Sequence, residues 1–458
     1  MKFINIPLLS TKLALVREDL NKLYINANLD IKNLLKSKNI CTRNRVLTFY
    51  DVLCYKFNYI SKYNTQLSAI NNYKFINNIN CNNSAFYRKE NNIPLEYYCK
   101  IYNDILNLHN KYYPKNGYNI VAVDGTYNNT NIENNKKLET SLNMGYYDVT
   151  NGIPIELTFK GKDFKNKEIE SLIDKIKDNE LNMSSVILVL DRAYGSYKLM
   201  NFLQEKNIKF VIRIKNNFKC IKDGNINTYN DNFRLINYNY NVSSTKKLEN
   251  KKKAKIELYN ITVNVNCNVI TNLDLNLYTN DQIKDIYNSR WKVEEFFKLI
   301  KSNFNFANLK EHNHNAEITH KKSYYSLLII CNLQRIIEKI FMDHINLNKH
   351  NKDKYNININ KSSLIRGIRL IIDDIIHSKL EKNKLLQLGE AFITLNYCKK
   401  DCHNPRISKT PFTKWYVKDY HYKYDLEKIF DAYLNDDTTK INKNLKMKLK
   451  NYTFKLIE

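Results

Sequence analysis

The sequence predicts an α/β chain, with a mixed five-stranded sheet covered by helices on both faces and helical regions at either end. Three observations carry this. Two short apolar runs, Ile120-Val-Ala-Val123 and Val186-Ile-Leu-Val-Leu190, each followed by an aspartate, have the unbroken hydrophobicity of strands covered on both sides. The dipeptide Asn151-Gly152, between two strand-like stretches, marks a tight hairpin. Between that hairpin and the second run, Ile169, Leu172, Ile173 and Ile176 recur at helical spacing.

Taken in order, Leu13, Val16, Leu20 and Leu23, then Val46, Phe49, Val52, Leu53 and Tyr55, repeat as helix faces do, so residues 1–115 read as a helical amino-terminal region. Within it, Asn83-Ser-Ala-Phe-Tyr-Arg-Lys reads as a helix start capped by Asn or Ser. Such a helix presents Arg88 and Lys89 to phosphates or, equally, is a plain solvated face. The next region, 116–340, opens with the strand ending at Asp124. Residues 141–150 and 153–160 form the hairpin, with positive φ expected at both Asn151 and Gly152. Then come a helix, the strand ending at Asp191, a helix over 197–205 and residues 208–215, where Ile208, Phe210, Ile212 and Ile214 alternate with Lys209, Val211, Arg213 and Lys215 as in an edge strand. Alternating runs at 256–263 and 273–278, with lysines 246, 247, 251, 252, 253 and 255, make 218–280 a β-rich insertion. Past Gln282 the spacing is helical again, and 341–458 reads as a helical carboxyl-terminal region. With only 9 Gly and 6 Pro, linkers are sought in asparagine-rich stretches at 71–83, 128–135, 346–361 and 436–444.

Composition narrows the function. In 458 residues, 73 Lys+Arg against 46 Asp+Glu leave a net charge of +27, which points to a polyanionic partner, although codon bias toward Asn, Lys, Ile and Tyr accounts for part of it. With 43% hydrophobic residues the chain is no acidic disordered tail, and its longest apolar stretches, such as 324–331, fall short of the roughly 18 residues of a membrane span. Lys12 interrupts the apolar bias of the amino terminus, so no signal peptide is expected. Nine scattered cysteines read as reduced thiols, and the expected compartment is the cytoplasm.

Crossover rules make the strands ending at Asp124 and Asp191 neighbours. Two adjacent carboxylates repel unless a hard cation such as Mg²⁺ neutralises them, although Asp191 before a helix also reads as a simple cap. In Tyr287-Asn-Ser-Arg290-Trp-Lys-Val-Glu294-Glu-Phe-Phe-Lys298-Leu-Ile-Lys301, a helix counted at about 100° per residue from Tyr287 places Arg290, Glu294 and Lys301 at about −60°, −20° and −40°. Ile286, Val293, Phe296, Phe297 and Ile300 form the adjoining core stripe. A solvated face holds such residues too, but an acid, two bases and a phenol beside a core stripe suit a metal-binding carboxylate among phosphate-contacting groups.

These residues resemble the DDE transposases of bacterial insertion sequences, in the branch marked by Tyr, two residues, Arg, three, Glu, six, Lys; Val-Ala-Val-Asp124-Gly-Thr and Leu-Val-Leu-Asp191-Arg-Ala-Tyr-Gly-Ser are similar to the family's first two acidic motifs. Ala193 departs from the usual Gly. The resemblance spans about residues 119 to 340 and implies a ribonuclease-H-like core with a β-rich insertion before the last catalytic helix. It further implies a triad of Asp124, Asp191 and Glu294 holding two Mg²⁺ (or Mn²⁺) ions, and Tyr287, Arg290, Lys298 and Lys301 as DNA-binding groups. The implied partners are double-stranded DNA, as the element's terminal repeats and its target, and a second copy of the chain. Trp291 borders the site face, and in the insertion Phe233, Tyr238 or Tyr240 stands where related enzymes hold an extruded base. Cys398, Cys402 and His403 lack the second pair a structural zinc site needs, and His314 and His320 read as surface groups. The other readings are a transposase-derived protein that binds DNA without cutting it and a basic structural protein.

Overall fold

The computed structural model describes residues 13–23, 46–62, 65–114, 117–130, 139–160, 167–178, 185–214, 225–230, 233–241, 253–264, 267–304, 306, 316–347, 355–392 and 395–399. The chain divides into two compact units, Met1–Cys398 and Lys399–Glu458, and every described residue but Lys399 belongs to the first.

The first unit is a mixed α/β structure built on one open sheet. Its strands are β1 (Asn119–Thr130), β2 (Glu139–Asp148), β3 (Ile153–Lys160), β4 (Val186–Leu190), β5 (Lys209–Ile214), β6 (Asn225–Asn230), β7 (Phe233–Asn241), β8 (Lys253–Asn264) and β9 (Cys267–Thr271), lying in the order β3-β2-β1-β4-β5-β9-β8-β7-β6. The centre is parallel, β1 beside β4 and β4 beside β5, and the flanks are antiparallel.

The two apolar runs are continuous because both faces of the central strands are covered. Val121, Val123, Leu188, Leu190, Phe210 and Ile212 pack with Leu172 and Ile176 of α6 (Glu168–Lys177) and Leu199 and Leu203 of α7 (Tyr197–Glu205). On the other face Ile187, Val189, Val211 and Val269 meet Ile283, Ile286 and Tyr287 of α8 (Asn280–Asn288). Beside them Ala122, Tyr147, Leu157 and Phe159 join the largest core with α9 (Trp291–Asn303) and α10 (Ala316–Leu347). That core also takes in α1 (residues 13–23), α2 (Phe49–Lys62), α3 (Gln66–Ile76), α4 (Asn83–Asn92) and α5 (Leu95–Tyr112), and reaches α11 (Lys361–Ile376) and α12 (Lys382–Phe392). The helical periodicity at both ends is thus the imprint of one shared interior.

Several expectations need correction. The sheet does not stop at five strands, and β5 is no edge: β9 pairs with it, and Val211, which seemed to belong to a solvated face, is buried under α8. The β-rich segment continues the main sheet through β9, and residues 273–278 form a turn instead of a strand, in which the Asp274 carbonyl accepts the N–H groups of Leu277 and Tyr278. In the hairpin only Gly152 has positive φ, at 72°. The connection is longer than a two-residue turn because Asp148 organises it, its carboxylate accepting from the Asn151 backbone at 2.9 Å and side chain at 3.0 Å. The asparagine-rich stretch at 71–83 is helical to Ile76. In α4 the cap residue is Asn82, without a side-chain capping bond; Arg88 is exposed, whereas Lys89 turns inward to donate to the Leu47 carbonyl. His320 is fully buried, stacked on Phe159 at 5.1 Å. Most of the lysine cluster, residues 246–252, lies outside the described residues, as do His314, Cys402 and His403 and the linkers at 131–135, 348–354 and 436–444. The side chains of Phe233, Tyr238 and Tyr240 on β7 lie outside them too.

Candidate active site

Asp124 and Asp191 are brought together by strand register. Val123 stands opposite Leu190 in the parallel pair β1/β4, so the next residue of each chain segment, Asp124 and Asp191, emerges at the same sheet edge. Asp124 stays within β1, paired with Gly145 of β2, and its Oδ1 accepts the Gly125 N–H at 2.9 Å. Asp191 does act as a cap: it accepts the Ala193 N–H at 2.6 Å and starts a single 3₁₀ turn over Arg192–Tyr194.

The helix carrying Arg290, Glu294 and Lys301 is not continuous with Tyr287. Thr279 and Gln282 form a capping box that starts α8. α8 ends at Asn288, and the chain passes through Ser289 and Arg290 with hydrogen bonds three residues apart, Arg290 N–H to Tyr287 and Val293 N–H to Arg290, before α9 begins. A wheel drawn through Tyr287 therefore does not hold: that residue is buried under the sheet, Arg290 caps α9, and Glu294 and Lys301 stand on α9 itself. α9 is seated by Phe296, stacked on Tyr147 at 5.5 Å, and by Phe297, whose ring fills the space a side chain at Gly145 would need.

Arg290 links two of the acids. Its guanidinium donates to Glu294 Oε1 at 2.5 Å and lies 3.7 Å from Asp124 Oδ2. Lys301 Nζ donates to Thr126 Oγ1 at 2.5 Å, two residues along β1 from Asp124 and on the same face. Lys298 is outside this cluster; it is exposed and lies over the exposed Trp291 ring, 4.5 Å from its centroid. The structure thus groups Asp124, Asp191, Arg290, Glu294 and Lys301, keeps Tyr287 beneath and sets Lys298 with Trp291 on an outer face. Among the described residues no three His, Cys, Asp or Glu side chains form a group able to hold a metal ion. Between Asp124 and Glu294 the intervening charge is the guanidinium.

One acid was not foreseen. Glu168, at the start of α6, lies against Gly125, where a β-carbon would fall 2.5 Å from its carboxyl group. It sits behind β1, on the face opposite Asp124, since Gly125 and Asp124 alternate along the strand. The Asp-Gly-Thr string held the only hint, a glycine where nothing local demands one.

Electrostatically the cluster is short of positive charge. Burial, then the charge of Asp191 and more weakly that of Glu168, pushes the Asp124 carboxyl up to about 7, against the pull of the Gly125 N–H and Arg290. Burial also raises Glu168, with Asp191 adding to it and the Tyr194 and Tyr127 hydroxyls opposing. Burial is the largest single influence on Arg290 and works against its charge, but the Glu294 hydrogen bond together with the charges of Glu294, Tyr287 and Asp124 outweighs it and the pKa is raised; burial lowers Lys301. Hard carboxylate oxygens whose repulsion is uncompensated are the donor set that a hard divalent cation fits.

A family described as "Transposase DDE domain" matches residues 115–320. The chain is 27% identical over 190 residues to a protein of Synechocystis sp. (strain ATCC 27184 / PCC 6803 / Kazusa) described as a transposase for insertion sequence element IS4SA, covering 38% of this chain and 49% of that one. It is 26% identical over 138 residues to one from Geobacillus stearothermophilus described as a transposase for insertion sequence element IS5377, covering 30% and 36%. The chain thus spans about half or less of these relatives. A solved piggyBac transposase synaptic complex with hairpin DNA aligns over 89% of each chain at 12% identity, but its TM-score of 0.37 is too low to argue from. Asp124, Asp191 and Glu294 all fall within the matched segment, and over residues 115–320 the chain is similar to the transposase DDE domain family, as parts of it are to transposases of insertion sequences.

Proposed function

We propose that this chain is a DNA transposase whose residues 116–340 form a ribonuclease-H-like catalytic domain, with a β-rich insertion over 218–280, a DNA-binding helical region at 1–115 and a helical region at 341–458. The observation that supports this most is the emergence of Asp124 and Asp191 side by side where the parallel pairing of β1 and β4 ends, with the Glu294 helix laid beside them, inside the segment that matches the transposase family.

In this reading Asp124, Asp191 and Glu294 hold two divalent ions, Mg²⁺ or Mn²⁺. When bound, these ions supply the Lewis-acid chemistry for an in-line displacement at a phosphodiester, activating the attacking oxygen and stabilising the departing one. Lys301, exposed yet tied to Thr126, is held where it can contact a phosphate next to the scissile bond, and Arg290 is available to a second phosphate. Trp291 and Lys298 offer an apolar ring and a cation side by side to a strand passing over α9. Tyr287 supports this face from beneath. Hydrolysis frees a 3′-hydroxyl at the element end. That hydroxyl then displaces a 3′-oxygen of target DNA, so one phosphodiester replaces another and no external energy source is needed. Two copies of the chain would hold the two element ends, in the cytoplasm at the nucleoid.

The test is nicking of a duplex carrying the ends of the cognate element. Wild type cuts in Mg²⁺, and Glu294→Gln binds the duplex but leaves it intact. Cutting by the variant at the wild-type rate would reject the assignment. Binding by wild type without cutting in any divalent metal would make the chain a DNA-binding protein derived from a transposase. Lys301→Ala should also weaken binding and lower the salt dependence of the binding constant by about one phosphate's worth, measured as the slope of log affinity against log salt. An unchanged slope would place Lys301 away from the DNA backbone.

A further inference from the structure

The most constrained group in the site is Arg290. Its side chain is only 12% exposed, and the guanidinium reaches two acids from different elements, Glu294 on α9 at 2.5 Å and Asp124 on β1 at 3.7 Å. No other described side chain is paired with both. The two nitrogens that reach these acids are different ones, Nη1 toward Asp124 and Nη2 toward Glu294, so the planar fork is used as a bridge. A bridging cation on those two carboxylates stands where a divalent ion shared by them would have to stand. Moreover, the described acids do not otherwise converge into a three-ligand group. Arg290 also lies at the break between α8 and α9, where its own N–H bonds to Tyr287 and its carbonyl accepts from Val293. That turn precedes the α9 core stripe of Val293, Phe296, Phe297 and Ile300, and Arg290 is not part of it.

We infer that Arg290 is an internal cation that competes with divalent metal for Asp124 and Glu294, and that a DNA phosphate, by drawing the guanidinium away, opens these carboxylates to the metal. Metal occupancy is then coupled to DNA occupancy, and the DNA-free protein holds its active site in check. This rests on the proposed transposase reading and adds to it an order of events. The exchange is between non-covalent partners: Arg290 leaves two carboxylates and gains a phosphate, and the cation takes the oxygens it vacates.

The sign of the effect separates this role from a simple phosphate contact. A contact residue has no bearing on metal affinity without DNA. A diffuse positive charge would act the same from lysine as from arginine, whereas a bridge needs the two-nitrogen fork. The test is titration of the DNA-free protein with Mn²⁺, followed by the electron paramagnetic resonance of free Mn²⁺, in wild type, Arg290→Lys and Arg290→Met, with Asp124→Asn as the control for a site ion. Both Arg290 variants should bind Mn²⁺ about tenfold or more tightly than wild type, the scale of one charged hydrogen bond removed from the competition. Wild type should gain affinity of that order when a short DNA duplex is added. Because this last arm needs no variant, it stands even if a variant folds poorly. Equal Mn²⁺ affinity in wild type and Arg290→Lys, with no gain on adding DNA, would overturn the competition and leave the transposase reading intact. If Asp124→Asn binds Mn²⁺ as well as wild type, and the Arg290 variants bind no better, the metal site itself is refuted and both fall together.

Discussion

Asp124→Asn should make the protein more stable above neutral pH while abolishing its DNA cleavage. The Asp124 carboxyl sits at about 7 in the folded chain against 3.8 ordinarily, because burial and the neighbouring Asp191 charge oppose its ionisation. A carboxyl raised in this way binds its proton more tightly folded than unfolded. Its contribution therefore favours folding at low pH and is lost as pH climbs from about 4 to 7. At pH 8 the ionised side chain is a burden. The bare shift would correspond to about 4 kcal/mol, and since the side chain is 20% exposed, about 1–2 kcal/mol is the better expectation. Asparagine carries no charge to suppress, so calorimetry at pH 8 should find the variant melting a few degrees higher, with the difference vanishing near pH 4. Mg²⁺ should stabilise wild type alone and narrow the gap. A variant less stable than wild type at pH 8 would show that the cluster is not strained by its own charge. Cleavage should fall by about a thousandfold or more, as expected when a metal-holding carboxylate is lost. Stability and activity moving in opposite directions mark a site built to be completed by a cation.

The second large effect lies far from the chemistry. Lys56 of α2 and Glu90 of α4 form an ion pair at 2.7 Å, with side chains 0% and 3% exposed. The Glu90 carbonyl also accepts from Lys322 of α10 at 2.8 Å, so three helices meet there. Lys56→Met should destabilise the protein by about 3–5 kcal/mol, because it strands a carboxylate in an apolar interior. Lys56→Met with Glu90→Leu should regain most of that loss, since two well-packed apolar groups replace two charges with no net desolvation penalty. Urea unfolding of the single and double variants measures this. A double variant no better than the single one would mean that packing, and not charge burial, governs the junction. Since α4 also displays Arg88 to solvent, a loosened junction should weaken DNA binding before it affects the sheet.

Much of the candidate site was legible in the chain. The two apolar runs could be read because a strand covered on both faces must be apolar at every position, and the aspartates ending them could be paired because parallel crossovers make such strands neighbours. Glu294 could be grouped with Arg290 and Lys301 because residues four and seven positions apart share a helix face. Other features failed for definite reasons. The kink at Ser289 and Arg290 contains neither Gly nor Pro, so nothing local announced that Tyr287 belongs to a separate helix. Lys209 and Arg213 made β5 look like an edge, yet long basic side chains pass their charge to solvent even when the strand is paired on both sides. Glu168 lies 44 positions from Asp124, and only the packing of α6 against β1 brings it to Gly125.

The order of the residues by itself determined where most strands and helices form, which carboxylates follow the two central apolar runs and which basic groups flank Glu294 at helical spacing. These are consequences of periodicity and of local backbone preference, and they act over a few residues at a time. The tertiary structure alone decided that the sheet runs on to nine strands, that a fourth acid stands behind the first and that a guanidinium spans two of the carboxylates. Those outcomes depend on distances between side chains far apart in the chain, and the 3.7 Å between Arg290 and Asp124 is set by how whole elements pack, which no single stretch of sequence encodes.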